Sequence, residues 1–248
     1  MTGDVVYNTL LSYLRLDKRG SVLSPDEFNA ISSLVNRRVL AFYCKRYEED
    51  IDSSSELGKL KVVGRTTALT SGVGVLPTTY YRLTGDPYYT DTSVTPNETR
   101  YIDIVTSKES SYRERDYLTK STLRNPTCII GTQDAYGILQ IRVKPTTITT
   151  IKVDYLRIPS TPFLDYYVND TTLAYTFLDK ATSYTVATGY TYRDGTTGVK
   201  SSITVDWEWD EDSLPLIIAY FISAMGGIIP DELMLSLGIK DITEIQGV

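Results

Sequence analysis

The sequence predicts an α+β fold: an N-terminal helical hairpin with one long amphipathic helix, a central antiparallel β region, and C-terminal helices. Three observations carry this expectation. Ser24-Pro25-Asp26-Glu27 is a helix start. Its serine hydroxyl can accept from an unpaired backbone N–H, its proline sits where a missing N–H costs nothing, and its glutamate can reach back to the cap. From about residue 59 to residue 158, short runs rich in Val, Ile, Thr and Tyr alternate with a period of two between turn residues, which is strand grammar. After Asp212, apolar residues return to helical spacing and stop at Gly226-Gly227, a helix end.

The elements follow in order. Val5 to Leu16 predicts a short helix with Val5, Leu10, Leu14 and Tyr13 on its apolar face, and Asp17-Lys18-Arg19-Gly20 predicts a turn. The long helix is expected from Pro25 to about Asp50. Phe28, Ile31, Val35 and Phe42 form its stripe, with Leu34 and Val39 beside it. Arg37, Arg38, Lys45 and Arg46 lie mostly off that stripe. Strands are expected at 60–63, 78–83, 101–105, 127–131, 138–143 and 150–157, the last with Ile151, Val153 and Tyr155 on one face. Thr106 to Tyr117 is polar and reads as a short helix carrying Glu109, Arg113 and Glu114. Residues 163–201 read as a peripheral β insertion with a hairpin-like piece at Arg193-Asp194-Gly195. Ser202 to Trp209 predicts a last strand, with Ile203, Val205, Trp207 and Trp209 on one face. A helix capped by Asp210 or Asp212 follows, and Pro230 to Leu237 predicts a final short one. The segments are therefore 1–58, 59–162, 163–201 and 202–248, the last forming one structural unit with 1–162.

Composition narrows the chemistry. The chain has 248 residues and no histidine. That removes imidazole acid–base catalysis and the Ser-His and Cys-His nucleophile pairs. The net charge of −6 argues against wrapping nucleic acid through phosphate contacts, though not against a channel that DNA traverses. Cys44 and Cys128 are the only cysteines and are expected as buried thiols. Twenty tyrosines against five phenylalanines suit half-buried strands or subunit interfaces. No apolar run has the length of a membrane span, and no secretory leader is expected.

The run Gly20-x-x-x-Ser24-Pro25-Asp26-Glu27-Phe28-Asn29, then Asn36 and Tyr43 to Glu48, resembles the N-terminal helices of tailed-phage ring proteins. These build the head-to-tail junction and tail barrel of crAss-like and related short-tailed phages. Val105 to Glu109, Arg113, Leu118-Thr119-Lys120 and Asn125-Pro126 resemble the family's central segment. Val153-Asp154-Tyr155-Leu156-Arg157-Ile158-Pro159 resembles its strand end, and Trp209 to Asp212 with Ile217-Ile218 and Gly226-Gly227-Ile228 its C-terminal helix and stop. Residues 163–200 match no part of the pattern. The resemblance implies a non-catalytic virion structural protein in the neck or tail, made in the host cytoplasm. It implies a homo-oligomeric ring of twelve copies, bound to a portal or to other ring proteins, with DNA passing through the lumen and no cofactor or membrane. Candidate subunit or channel contacts are Arg37, Arg38, Lys45, Arg46, Tyr155, Arg157, Trp207 and Trp209.

Other chemistries are weighed on their residues. Asp206, Glu208, Asp210 and Asp212 read as a cation site or, preferably, as a solvated strand face leading into a helix cap. Glu109, Glu114 and Asp116 are the carboxylates a peptidoglycan hydrolase would draw on. A β module for carbohydrate or a receptor is a further rival. Gly72-Val73-Gly74 lacks the third glycine and following helix of a dinucleotide site.

Overall fold

The structure is a computed structural model, and it describes residues 1–16, 23–49, 57–92, 94–133, 137–180 and 182–226. The predicted turn at 17–20 and the final helix at 230–237 lie outside the described residues. The fold is α+β, with helices toward both ends of the chain and strands between. It falls into two compact units: Met1–Lys59 with Pro159–Val248, and Leu60–Ile158. Residues 163–201, expected as a peripheral insertion, belong to the first unit together with the N-terminal helices.

The first unit is built on three helices, α1 (Gly3–Leu16), α2 (Pro25–Glu49) and α4 (Leu214–Ala224). Leu216 to Ile222 are all buried, so α4 is apolar on every side and forms the centre against which α1 and α2 pack. Phe28 of α2 stacks on Phe221 at 4.8 Å between ring centroids, and Tyr7 of α1 meets Phe28 edge-on at 5.4 Å. The expected α2 stripe is corrected. The buried positions are Phe28, Ser32, Val35, Asn36, Val39, Leu40, Tyr43 and Cys44, while Leu34 faces solvent. The face of α1 is corrected likewise: Val6, Tyr7 and Leu10 are buried and Val5 is exposed.

The α2 start is a reciprocal capping box. Ser24 N–H donates to Glu27 Oε2 at 2.9 Å, and Glu27 N–H donates to Ser24 Oγ at 3.3 Å. These bonds hold the Glu27 carboxyl below its ordinary value. A carboxylate lowered on folding stabilises above its unfolded pKa and loses that contribution as pH falls through the folded one. Unfolding of wild type and Glu27→Gln should therefore differ at pH 6 and converge toward pH 3, followed by urea titration. Ser24→Ala should cost about 1 kcal/mol at neutral pH.

The second unit is a pair of sheets. The first has β1 (Lys61–Ala68), β9 (Thr150–Arg157), β4 (Tyr88–Asp91) and β5 (Glu98–Tyr101) in that order, with β3 (Tyr80–Leu83) also paired to β9. The second has β2 (Val73–Val75), β8 (Leu139–Lys144), β7 (Thr127–Gln133) and β6 (Asp103–Ile104). All pairs are antiparallel except β6 with β7. Both sheets feed one core, including Tyr89, Ile102, Cys128, Ile141, Ile151 and Val153. The predicted strand 101–105 is divided. Ile102 is fully buried at a corner, β5 pairs with β4 in the first sheet, and β6 pairs with β7 in the second. Between β6 and β7, helix α3 (Ser107–Arg115) begins at Thr106, whose side chain accepts from Glu109 N–H.

Gly72 makes one close approach in this unit. Its φ is +79°, its carbonyl accepts from Val143 N–H at 2.7 Å, and an added Cβ would lie 2.6 Å from Val143 O. Gly72→Ala meets both a left-handed backbone and a backbone oxygen. It should cost about 2 kcal/mol in denaturant unfolding, whereas Gly85→Ala, with open space around it, should be near neutral.

Back in the first unit, β10 (Tyr166–Asn169) pairs with β11 (Tyr175–Phe177) and β13 (Tyr190–Tyr192), and β12 (Ser183–Thr185) pairs with β14 (Val199–Ser201). Arg193-Asp194-Gly195 does make a tight turn, closed by Gly195 N–H to Tyr192 O at 2.8 Å. The strand predicted at 202–209 is corrected to an extended segment with one bridge, Val205 to Phe163. Its lower end pairs backbone to backbone with Met1 at Trp207. Trp207 then packs edge-on against Phe221 and Trp209 against Tyr43, so helices, not neighbouring strands, cover its buried side. Ile203, expected on that side, is exposed.

Candidate functional site

The two most exposed large apolar side chains among the described residues lie in the excursion from Ser107 to Asn125, within the second unit. Its sequence is polar and its helix short, yet it is pinned at both ends. Arg113 bridges Glu109, one turn back, at 2.8 Å and Asp103 of β6 at 3.2 Å, which ties α3 to the sheet. Both carboxylates hold the guanidinium proton more firmly. On the return path, the Tyr89 hydroxyl donates to Leu123 O, and Ser121 and Thr127 share a buried hydroxyl bond of 2.7 Å.

Between these anchors sits the turn Asp116 to Lys120. The Asp116 carboxylate accepts from Leu118 N–H at 3.0 Å and from the Thr119 hydroxyl at 3.1 Å, and Lys120 N–H donates to Asp116 O at 3.0 Å. Such side-chain-to-backbone bonds fix a turn locally. The turn presents Tyr117 and Leu118 to water, 92% and 88% exposed, with Tyr112 of α3 at 59%. The Asp116 bonds fix the backbone of the turn that carries these two neighbouring large apolar side chains, so the backbone part of the ordering cost of a contact there is already met.

The sequence-predicted contacts separate into two groups. Arg37, Lys45 and Arg46 lie exposed on α2, with the Arg46 guanidinium over the Phe42 ring at 5.5 Å. Arg38 is half-buried, and its charge opposes the burial that pushes the Tyr220 phenol up to about 12. Arg157 is half-buried at the end of β9, in register with Tyr80 of β3. Tyr155, Trp207 and Trp209 are corrected. Each is 1–2% exposed within the chain's own core, so none offers a surface to a second subunit or a channel. Tyr117, Tyr101 and Tyr112 are instead the aromatic residues most exposed among those described, and Tyr112 and Tyr117 lie in the excursion. The signal for them was a Tyr-Leu pair inside a polar run with no periodic partner.

The carboxylates weighed for catalysis carry structural bonds. Glu109 pairs with Arg113, Glu114 lies 3.6 Å from Lys144, and Asp116 shapes the turn. Asp210 pairs with Lys59, and Glu211 and Asp212 are exposed in a 3-10 turn before α4. Among the described residues, no three His, Cys, Asp or Glu side chains gather as a metal-binding group, and no helix is long and apolar enough to cross a membrane. Both cysteines are buried. No protein-family model and no curated protein matches the chain.

Proposed function

We propose that this chain is a virion structural protein, a ring-forming subunit of the head-to-tail connector or tail barrel of a short-tailed phage. Its copies enclose the path of the genome during packaging and ejection, and it performs no catalysis. The observation that carries this reading is the Tyr117–Leu118 turn. Leaving two such side chains in water forgoes roughly 1.5–3 kcal/mol each, a loss that contact with another protein would recover. The resemblance of the α2 start, the central segment and the α4 region to ring proteins supplies the kind of assembly. A ring closes through heterologous contacts, in which one patch meets a different patch on the next copy. A projecting turn suits that geometry better than a self-complementary face. The exposed Arg37, Lys45 and Arg46 are available to DNA in the lumen or to an acidic neighbour on the α2 side. A net-negative chain does not grip that DNA along its length.

Negative-stain images of the purified chain at rising concentration, alone and with its portal, should show rings of constant size. A chain that stays monomeric under all these conditions and clears a peptidoglycan zymogram would overturn the proposal.

A further inference from the structure

The turn and the acidic segment before α4 suit each other in chemistry. Residues 107–125 hold five basic and three acidic side chains, a net of +2, in a chain of net −6. The remainder is therefore −8. Among the described residues its densest acidic stretch is Asp206 to Asp212, five carboxylates in seven residues with no basic residue among them. Glu211 and Asp212 of that stretch are exposed. Tyr117 and Leu118 are 92% and 88% exposed.

We infer that the Asp116–Lys120 turn docks onto a second copy of this chain, at the acidic turn Glu211–Asp212. Tyr117 and Leu118 form the apolar centre of the contact, and Arg115 and Lys120 form its charged rim. The inference rests on the ring reading and names the contact that would close the ring. The pairing is heterologous, since turn and acidic segment occupy different places on one copy, and such contacts propagate around an axis. A phosphate-bearing partner is disfavoured by the excursion's own chemistry. Three carboxylates are interspersed among its cations, and that of Asp116 accepts from the Leu118 N–H of the apolar pair itself. DNA and anionic membranes select for clustered, uncompensated positive charge. A mixed rim around an apolar centre is the anatomy of a protein contact.

The test uses the full chain and sedimentation velocity over a wide concentration range. Tyr117→Ser with Leu118→Ser should weaken assembly on the order of 30-fold, as loss of a central anchor does. Thermal unfolding should not change, because both side chains are already in water. Arg115→Glu with Lys120→Glu, and separately Glu211→Lys with Asp212→Lys, should each weaken assembly. Combining the two charge reversals should restore it, a result that a merely structural role would not give. If wild type assembles and the Tyr117/Leu118 variant assembles equally well, the contact is wrong and the ring reading stands. If wild type is monomeric throughout, and the same turn variant abolishes co-sedimentation with phosphatidylserine vesicles or binding to double-stranded DNA, the occupant is a phosphate-bearing partner and the inference falls. A wild type that is monomeric and binds neither overturns the inference; one that also forms no ring with its portal overturns the ring reading as well.

Discussion

Asp165→Ala should lower stability to urea by about 3 kcal/mol, among the largest single-site losses in the molecule. Asp165 is wholly buried, and its carboxylate gathers donors from three stretches of chain: the adjacent Tyr166, the Tyr192–Arg193 pair and Ile203. Its Oδ1 accepts from Arg193 Nε at 3.0 Å and Tyr166 N–H at 3.1 Å. Its Oδ2 accepts from the Tyr192 hydroxyl and from Ile203 N–H at 3.1 Å. The backbone joins in, since Leu178 N–H donates to Asp165 O at 2.9 Å and Asp165 N–H donates to Thr204 Oγ1 at 3.2 Å. Removing the carboxylate strands the buried tyrosine hydroxyl and the buried Tyr166 N–H, and leaves the part-buried Ile203 N–H without this acceptor, which costs more than the bonds contributed. Arg193 softens the loss, because its side chain is 29% exposed and can take up water. That places the estimate at the lower end for a broken buried ion pair.

Asp165→Asn refines the expectation. The amide keeps the shape and one acceptor oxygen but turns an NH2 toward donors. About half the loss should remain. Because the hub joins β10, β13 and the 202–204 stretch, amide exchange should rise together across 165–204 while β7, β8 and β9 stay protected. If the alanine variant unfolds within 1 kcal/mol of wild type, the hub does not hold this region.

The contrast between this region and the long helix explains what the sequence can and cannot disclose. The start of α2 was legible because capping is local: Ser24 and Glu27 are three residues apart, and their bonds need nothing from elsewhere. Strand β9 is legible to the residue because Ile151, Val153 and Tyr155 alternate with the polar Thr150, Lys152 and Asp154 between clear stops. The face of α2 was misread because two of its buried positions are polar. Ser32 returns its hydroxyl to Phe28 O at 2.8 Å, and Asn36 bonds Ser160 O at 3.0 Å. A count of apolar residues skips both and rotates the stripe toward Leu34. Strands of three or four residues around a buried aspartate leave no periodic trace, so the sequence shows residues 163–201 only as a β insertion.

The corner at Ile102 failed for a related reason. Alternation through 101–105 was real, but alternation records which side chains are buried, not which strand lies alongside. Ile102 N–H donates to Pro87 O in one direction and Asp103 N–H to Pro126 O in the next. One apolar rhythm therefore serves two sheets. The same limit applies to 202–209, where burial of Trp207 and Trp209 was foreseeable and the helical cover was not. The projecting turn lies at the opposite extreme. Tyr117 and Leu118 satisfy no period, and their place outside follows from the bonds that Asp116 makes to its neighbours.

Trp209→Ala should cost about 4 kcal/mol, the scale for deleting a buried indole from a packed core. The ring is 2% exposed and stacks on Tyr43 at 5.4 Å, and its Nε1 donates to Asn36 Oδ1 at 2.7 Å. Truncation therefore opens a cavity and also strands half of a buried amide. Trp209→Phe separates the two losses: it restores most of the ring and none of the donor, and should cost about 2 kcal/mol. A double-mutant cycle with Asn36→Ala should show a coupling of about 1 kcal/mol, because each single change already breaks the shared bond. Tyr43, which stacks on the same indole, also shares a 2.8 Å hydroxyl bond with Ser213 at the entry to α4. Loss of the ring should therefore loosen the α2–α4 contact as a whole. The readout also decides the residue's role. An interface tryptophan would leave the isolated chain as stable as before and shift only the concentration at which copies associate. A core tryptophan lowers the unfolding midpoint at every concentration, and dilution does not change the difference. Equal stability of Trp209→Ala and wild type in dilute solution would return Trp209 to the surface.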